Sequence, residues 1–171
     1  MMRLRNKVLA VASAVAVAGM LAAAGLTAAS ASPAARPGVS GIERFQLMST
    51  SATSNTSSII ARGNVFTAGG VDHAGNRVDT VVFPDGTFQI RHSAGKGTPH
   101  FNPTTCLNVI RVHGTYSLQH GTGRYAGISG HGIYHVSILI VAARNAQGKC
   151  SDRLPPTAFQ QLITAQGPAR L

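Results

Sequence analysis

Two stretches of the chain, residues 106–118 and 131–142, are long and place apolar side chains at every second position through much of their length. Segments of that kind read as long strands. In the first, Asn108, Ile110, Val112, Gly114, Tyr116 and Leu118 share one face, and Arg111, His113, Thr115 and Ser117 the other. In the second, Tyr134, Val136, Ile138 and Ile140 share a face. Beyond residue 41, helical spacing is hard to find and strand signals recur. Residues 45–49, 58–67, 78–83, 87–92 and 158–165 read as further strands, although Phe-Gln-Gln-Leu-Ile in the last would also suit a short helix. Pro84-Asp85-Gly86 is a hairpin turn between two of them. Gly69-Gly70 with the polar run 72–77, and the Gly/Pro-rich stretch 93–105, read as loops. Seven or eight strands, with turn signals every ten to fifteen residues, give an all-β fold: a small antiparallel β-barrel, with a β-sandwich as the alternative.

The N-terminus leaves this argument early. Arg3, Arg5 and Lys7 precede an uncharged Ala/Val/Leu stretch over 8–26, and Ala29-Ser30-Ala31 then gives the small-x-small pattern of a cleavage site. Those three parts in that order are expected of a signal peptide over 1–31. A membrane anchor would need nearly the same length of apolar chain, but this stretch is alanine-rich and runs directly into the cleavage pattern. No twin arginine precedes it and no cysteine stands at the cut, which points to the general secretory route without a lipid anchor. Residues 32–41 read as a flexible leader and 42–171 as a single domain. Cleavage removes three of the fifteen basic residues and none of the five acidic ones, so the charge falls from +10 to +7. No other apolar run could cross a membrane. The expectation is a secreted bacterial protein with no membrane span after cleavage.

Export also decides how Cys106 and Cys150 are read. In an oxidising compartment two cysteines are expected to form a disulfide. It would close a loop of about 45 residues, worth roughly 4 kcal/mol in the chain-entropy model. A nucleophilic thiol would need a lowered pKa and a neighbouring base, and neither can be located.

The segment Gly121-Thr-Gly-Arg-Tyr-Ala-Gly-Ile-Ser-Gly-His-Gly132 lies between the two long strands. Gly121, Gly123, Gly127, Gly130 and Gly132 permit positive φ and close backbone approach, and Tyr125 would pack over such a corner. It is not a dinucleotide fingerprint, because Ala126 replaces the third glycine and no βαβ unit surrounds it. Nor does Gly95-Lys96-Gly97 complete a phosphate loop. The pattern resembles the Gly-x-Gly-x-Tyr/Phe-x-Gly-x-x-Gly connection of allene oxide cyclase-like and dirigent-like β-barrels. It is similar in particular to the exported high-GC Gram-positive branch, most of whose members have no assigned activity. The resemblance implies a barrel whose lumen holds an apolar molecule. In the cyclases it implies steering of a reactive epoxide, and in dirigent proteins control of phenoxy radicals with acidic groups in the cavity. Neither family's functional residues can be matched here position by position.

Catalytic chemistry is thinly supplied. Of the five carboxylates, only Asp79 falls on an expected strand. Asp85 is a turn residue, Asp72 and Asp152 fall in loops, and Glu43 lies near the leader. A glycosidase needs two facing carboxylates, and no Gly-x-Ser-x-Gly elbow exists. Seven histidines invite a metal site, but His131 and His135 stand about 13 Å apart along a strand, too far for one ion. No metal or cofactor is expected, and the histidines read as surface residues that add charge below about pH 6.5. The basic residues are scattered, with no run of three and no RNA-binding signature, so no specific nucleic acid is implied. Arg91, Lys96, Arg111 and Arg124 would cluster if their strands pair. An anionic cell-wall polymer is then a partner by charge.

The candidate cavity residues are Phe88, Ile90, Ile110, Val112, Tyr116, Tyr134, Val136 and Ile138, which would equally fill a solid core. The leading expectation is a non-enzymatic binding module for a small apolar or amphipathic ligand. A cyclase or isomerase using the same cavity, or a basic wall-associated structural protein, are the alternatives. A pocket holding Asp79, a histidine and a tyrosine together would favour the enzyme, and one lined only by apolar groups would favour binding. A filled core with one-sided surface charge would favour the wall protein.

Overall fold

The computed structural model describes residues 38–171. The signal-peptide expectation and most of the leader therefore lie outside the described residues. The strands are β1 (Ser40–Ser49), β2 (Thr56–Gly63), β3 (Thr67–His73), β4 (Val78–Phe83), β5 (Gly86–His92), β6 (Lys96–Asn102), β7 (Leu107–Gln119), β8 (Ser129–Val141), β9 (Ala143–Arg144), β10 (Cys150–Ser151) and β11 (Ala158–Arg170). Eight of them close a barrel in the order β1-β2-β3-β4-β5-β7-β8-β11 and back to β1, antiparallel throughout. Strands β9 and β10 form a separate small ribbon.

Several expectations need correction. The first strand begins at Ser40, so the last residues assigned to the leader are already paired, Ser40 with Arg170 and Gly41 with Ala169. Most of the expected loop from Gly69-Gly70 to 77 is strand: Gly69 to His73 belong to β3, with Gly69-Gly70 in the middle of its ladder with β2. The final strand runs unbroken through Phe-Gln-Gln-Leu-Ile, because pairing with β8 on one side and β1 on the other fixes it extended.

The largest correction concerns 93–105. Residues 96–102 form β6, which pairs with the first half of β7 while β5 pairs with its second half. His92 stands opposite Tyr116 and Lys96 opposite His113, so β5 and β6 behave as one long strand with an extra residue between them. Such an insertion is a β-bulge. Ser93 fills it, its backbone N–H donating to the Thr115 carbonyl and its Oγ accepting from the Thr115 N–H. Pro99 fits here because β6 is an edge strand, where a missing donor costs nothing. The outcome is a four-stranded flap of β6, β7, β8 and β11 that runs beyond the mouth of the barrel.

The opposite end is sealed. Tyr125, on a 3₁₀ turn at Gly123–Tyr125, is 1% exposed and meets Phe66, Phe83 and Phe88 with ring centroids 5.0–5.6 Å apart. Edge-on and tilted rings at these spacings are the favoured aromatic arrangement. The glycine-rich connection makes the turn possible at two points. Gly123 has φ +56, and a Cβ on Gly121 would fall 1.7 Å from the Tyr125 carbonyl oxygen. At the far tip of the flap, Cys106 and Cys150 form a disulfide across a separation of 44 residues. It ties the β6–β7 turn to the ribbon of β9 and β10. Replacing both cysteines by alanine should lower the unfolding free energy by roughly 4 kcal/mol. Urea titration of the double variant beside the oxidised protein checks this; an unchanged midpoint would show that the bridge adds nothing.

Candidate functional site

Where the flap leaves the barrel, the lumen opens as a cavity of about 290 Å³. Its wall is largely apolar: Phe45 and Leu47 from β1, Ile90 from β5, and Ile163 and Ala165 from β11. Of the expected lining residues, Ile90, Val112, Tyr116, Tyr134, Val136 and Ile138 border it. Phe88 does not. It is fully buried below, in the aromatic seal, because β5 runs from the closed end upward and Ile90 is the first inward residue above the plug. Ile110 does not border it either, and sits half-buried on the inward face of the flap beyond the mouth.

Most polar groups gather beside β4 and β5, and Gln161 of β11 also lines the cavity. Asp79 of β4 and His92 of β5 both line the cavity, with Asp79 Oδ1 3.4 Å from His92 Nε2. The same Oδ1 accepts the Gly75 backbone N–H at 2.8 Å, which fastens the β3–β4 loop over the mouth. His92 Nδ1 lies 3.4 Å from the Ser93 carbonyl oxygen, so both ring nitrogens face oxygen acceptors. Tyr134 donates its hydroxyl to that same carbonyl at 3.0 Å and meets the His92 ring edge-on. The bulge at Ser93 thus supplies the acceptor that orients both side chains. A single cavity consequently holds Asp79, a histidine and two tyrosines beside its apolar wall.

Two further carboxylates point inward. Asp72 was expected in a loop but is 2% exposed on the inner face of β3, diagonal to Asp79 across the β3–β4 ladder. Burial, and secondly the charge of Asp79, push its carboxyl up to about 7, and its Oδ1 has no hydrogen-bond partner. Glu43, expected near a flexible leader, is wholly buried in the closed half of the barrel. Its Oε2 accepts the backbone N–H groups of Val65 and Phe66, both at 3.3 Å. Desolvation still raises its pKa, outweighing those bonds. Burial and the Glu43 charge also push the Tyr116 hydroxyl up to about 12, so Tyr116 remains a donor. Three of the five carboxylates therefore face the barrel interior, against the sequence impression that acids are missing from it. Among the described residues, no three His, Cys, Asp or Glu side chains converge as metal ligands.

No protein-family model, curated protein or solved structure matches the chain.

Asp72 makes a pH-dependent prediction. The native carboxyl keeps its proton up to about pH 7, whereas in the unfolded chain it ionises near 3.8. Between those values the native state binds more protons, so stability falls as pH rises through the window and levels off above it. The full span corresponds to roughly 4 kcal/mol at most. Urea midpoints from pH 4 to pH 8 should decline for the native sequence. They should decline much less for Asp72→Asn, which should also be the more stable protein at pH 8. The raised Glu43 leaves a residual slope of the same sign. Identical slopes in the two proteins would exclude Asp72 as the source.

Proposed function

We propose that the barrel is a receptor for one small amphipathic molecule. The apolar body would lie between Phe45, Ile90, Val136 and Ile163, and the polar end would meet His92 and Asp79 at the mouth. One observation carries this reading: above the aromatic seal the cavity is walled mainly by apolar side chains, with Asp79, His92 and the Tyr134 hydroxyl grouped at the mouth and Gln161 of β11 a further polar side chain in its lining. A pocket of this size lies at the small end of those that hold ligands. A bound molecule would displace water from a surface that already has its hydrogen-bonding groups fixed by the Ser93 bulge and the Gly75 loop. Little would then need to be ordered on binding. An exported barrel of the allene oxide cyclase-like kind fits this role. The N-terminal cleavage pattern, the disulfide and the glycine corner support that placement.

Catalysis in the same cavity is the second reading, and the meeting of Asp79, His92 and Tyr134 specifically favours it. A carboxylate beside an imidazole is a pair that can move a proton to or from a bound substrate. Cyclisation or isomerisation needs no further reagent.

Binding is tested with anilinonaphthalene sulfonate fluorescence, using decanoic acid and decanol as competitors. Both competitors should displace the probe from the native protein. Val136→Trp, which fills the cavity, should abolish probe binding while leaving the melting temperature within a few degrees. His92→Ala should weaken decanoic acid more than decanol. Probe binding that survives in Val136→Trp would place the site elsewhere. Native mass spectrometry of protein purified from its source separates the two readings. The same adduct on native and Asp79→Asn protein means binding alone, and a different adduct on Asp79→Asn means turnover.

A further inference from the structure

The outer surface of the barrel carries a second feature, independent of the cavity. Three shallow depressions on it overlap end to end. The first, between β2 and β8, includes Arg62, Arg44 and His135, and shares His135 and Thr164 with the second. The second shares Arg111 and His113 with the third, which ends at Lys96 and His100 on β6. Together they make one continuous groove, crossing β2, β1, β11, β8, β7 and β6 in turn. Strand register sets the track: Lys96, His113, His135, Thr164 and Gln46 stand opposite one another across five strands. Arg44, two residues before Gln46 on β1, faces Arg62 on β2, the sixth strand.

The groove is cationic without relief. The six strands that form it contain a single carboxylate, Glu43, and its side chain points into the barrel. Arg44 and Arg62 are thus like charges directly opposite on adjacent strands, an arrangement that costs stability unless an anion lies between them. Arg44 donates Nε to Gln166 Oε1 at 3.1 Å, which holds the guanidinium in place and leaves its Nη groups free. Sequence order hides the cluster, since Arg44, Arg62, Lys96 and Arg111 are separated by up to 67 positions and come together only through strand pairing. Arg91 and Arg124, expected to join such a cluster, do not line it: Arg91 stands on β5 opposite Ser117, and Arg124 lies 3.4 Å from Asp85 at the closed end.

We propose that this groove binds a flexible phosphodiester polymer without bases, of the polyol-phosphate kind. Arginine suits phosphate because its planar fork addresses two oxygens at once. The path follows the curvature of the barrel, which a duplex of ordinary stiffness would have to bend sharply to follow. No exposed Phe, Tyr or Trp lines the groove; its exposed rings are the imidazoles of His100, His113 and His135, smaller stacking platforms than the grooves that hold single-stranded nucleic acids use. What remains is recognition of repeated phosphates by spaced cations, with affinity falling steeply in salt.

The test is fluorescence anisotropy with labelled poly(glycerol phosphate) titrated with the full chain over a range of salt concentrations. Log affinity should fall linearly with log salt. The pair Arg44→Gln and Arg62→Gln should weaken binding by roughly tenfold or more. It should also flatten the salt slope by about 1.4, two contacts at roughly 0.7 each. The pair Arg124→Gln and Arg153→Gln removes the same charge outside the groove and should change neither. An equal loss in that control pair would overturn the groove in favour of net charge alone. Tighter binding of a single-stranded oligonucleotide or a DNA duplex of equal charge would overturn the choice of polymer. Equal binding of polyglutamate would overturn phosphate recognition.

Discussion

Everything in this molecule depends on a closure made by four residue pairs. Strand β5 meets β7 only from Gln89 opposite Gln119 to His92 opposite Tyr116. Without that short ladder the sheet would be an open, strongly curled nine-strand ribbon with exposed edges at β5 and β6. With it, the inner faces of eight strands enclose a lumen that one end can seal and the other can leave open. The seal is aromatic and the opening follows from the bulge. Past Ser93 the chain has nothing on its other side to pair with, since β4 ends level with Arg91. The wall therefore continues on one side only, as the flap.

The same bulge connects architecture to chemistry. A regular strand would bond the Ser93 carbonyl into the ladder. Here it is free to accept from Tyr134 and to face His92. The cost of breaking a ladder becomes the means of orienting two side chains in a cavity. Bulges beside binding sites commonly have this effect. Carboxylates deep in the barrel are a different matter. Glu43 has two backbone donors on Oε2 but none on Oε1, and Asp72 Oδ1 likewise has none. Burial without full compensation is what raises both pKa values, and it makes the interior less stable than an all-apolar filling of the same shape would be.

The fold class was legible because the stretches 106–118 and 131–142 carry a period of two through much of their length, and because Pro84-Asp85-Gly86 leaves one choice of turn. The apolar side of the cavity was legible for the same reason: once the phase of β7 and β8 is known, Val112, Tyr116, Tyr134 and Val136 must share an interior. The acidic side was not. Glu43 is in phase with Phe45 and Leu47, so the period-two signal was present, but a charged residue close to a Pro/Gly-rich leader invites the opposite reading. Asp72 follows Gly69-Gly70, which suggests a turn until the pairing of β3 with β2 is seen. Strand β6 was hidden by Gly95, Gly97 and Pro99, residues that only an edge strand tolerates together. The groove was out of reach altogether. Which strands lie side by side depends on topology, and one sequence gives periods but not neighbours.

The disulfide sits at the tip of the flap, as far from the aromatic seal as the strands allow, and β6 beside it is exposed along its whole length. The two ends of the molecule are thus held by different means, one by packing and the other by a covalent link that a reducing environment removes. Backbone amides should accordingly exchange with solvent on two schedules, those around Tyr125 only through global unfolding and those of β6 through local opening. The redox state of the surroundings then acts selectively on the mouth of the barrel, leaving its floor intact.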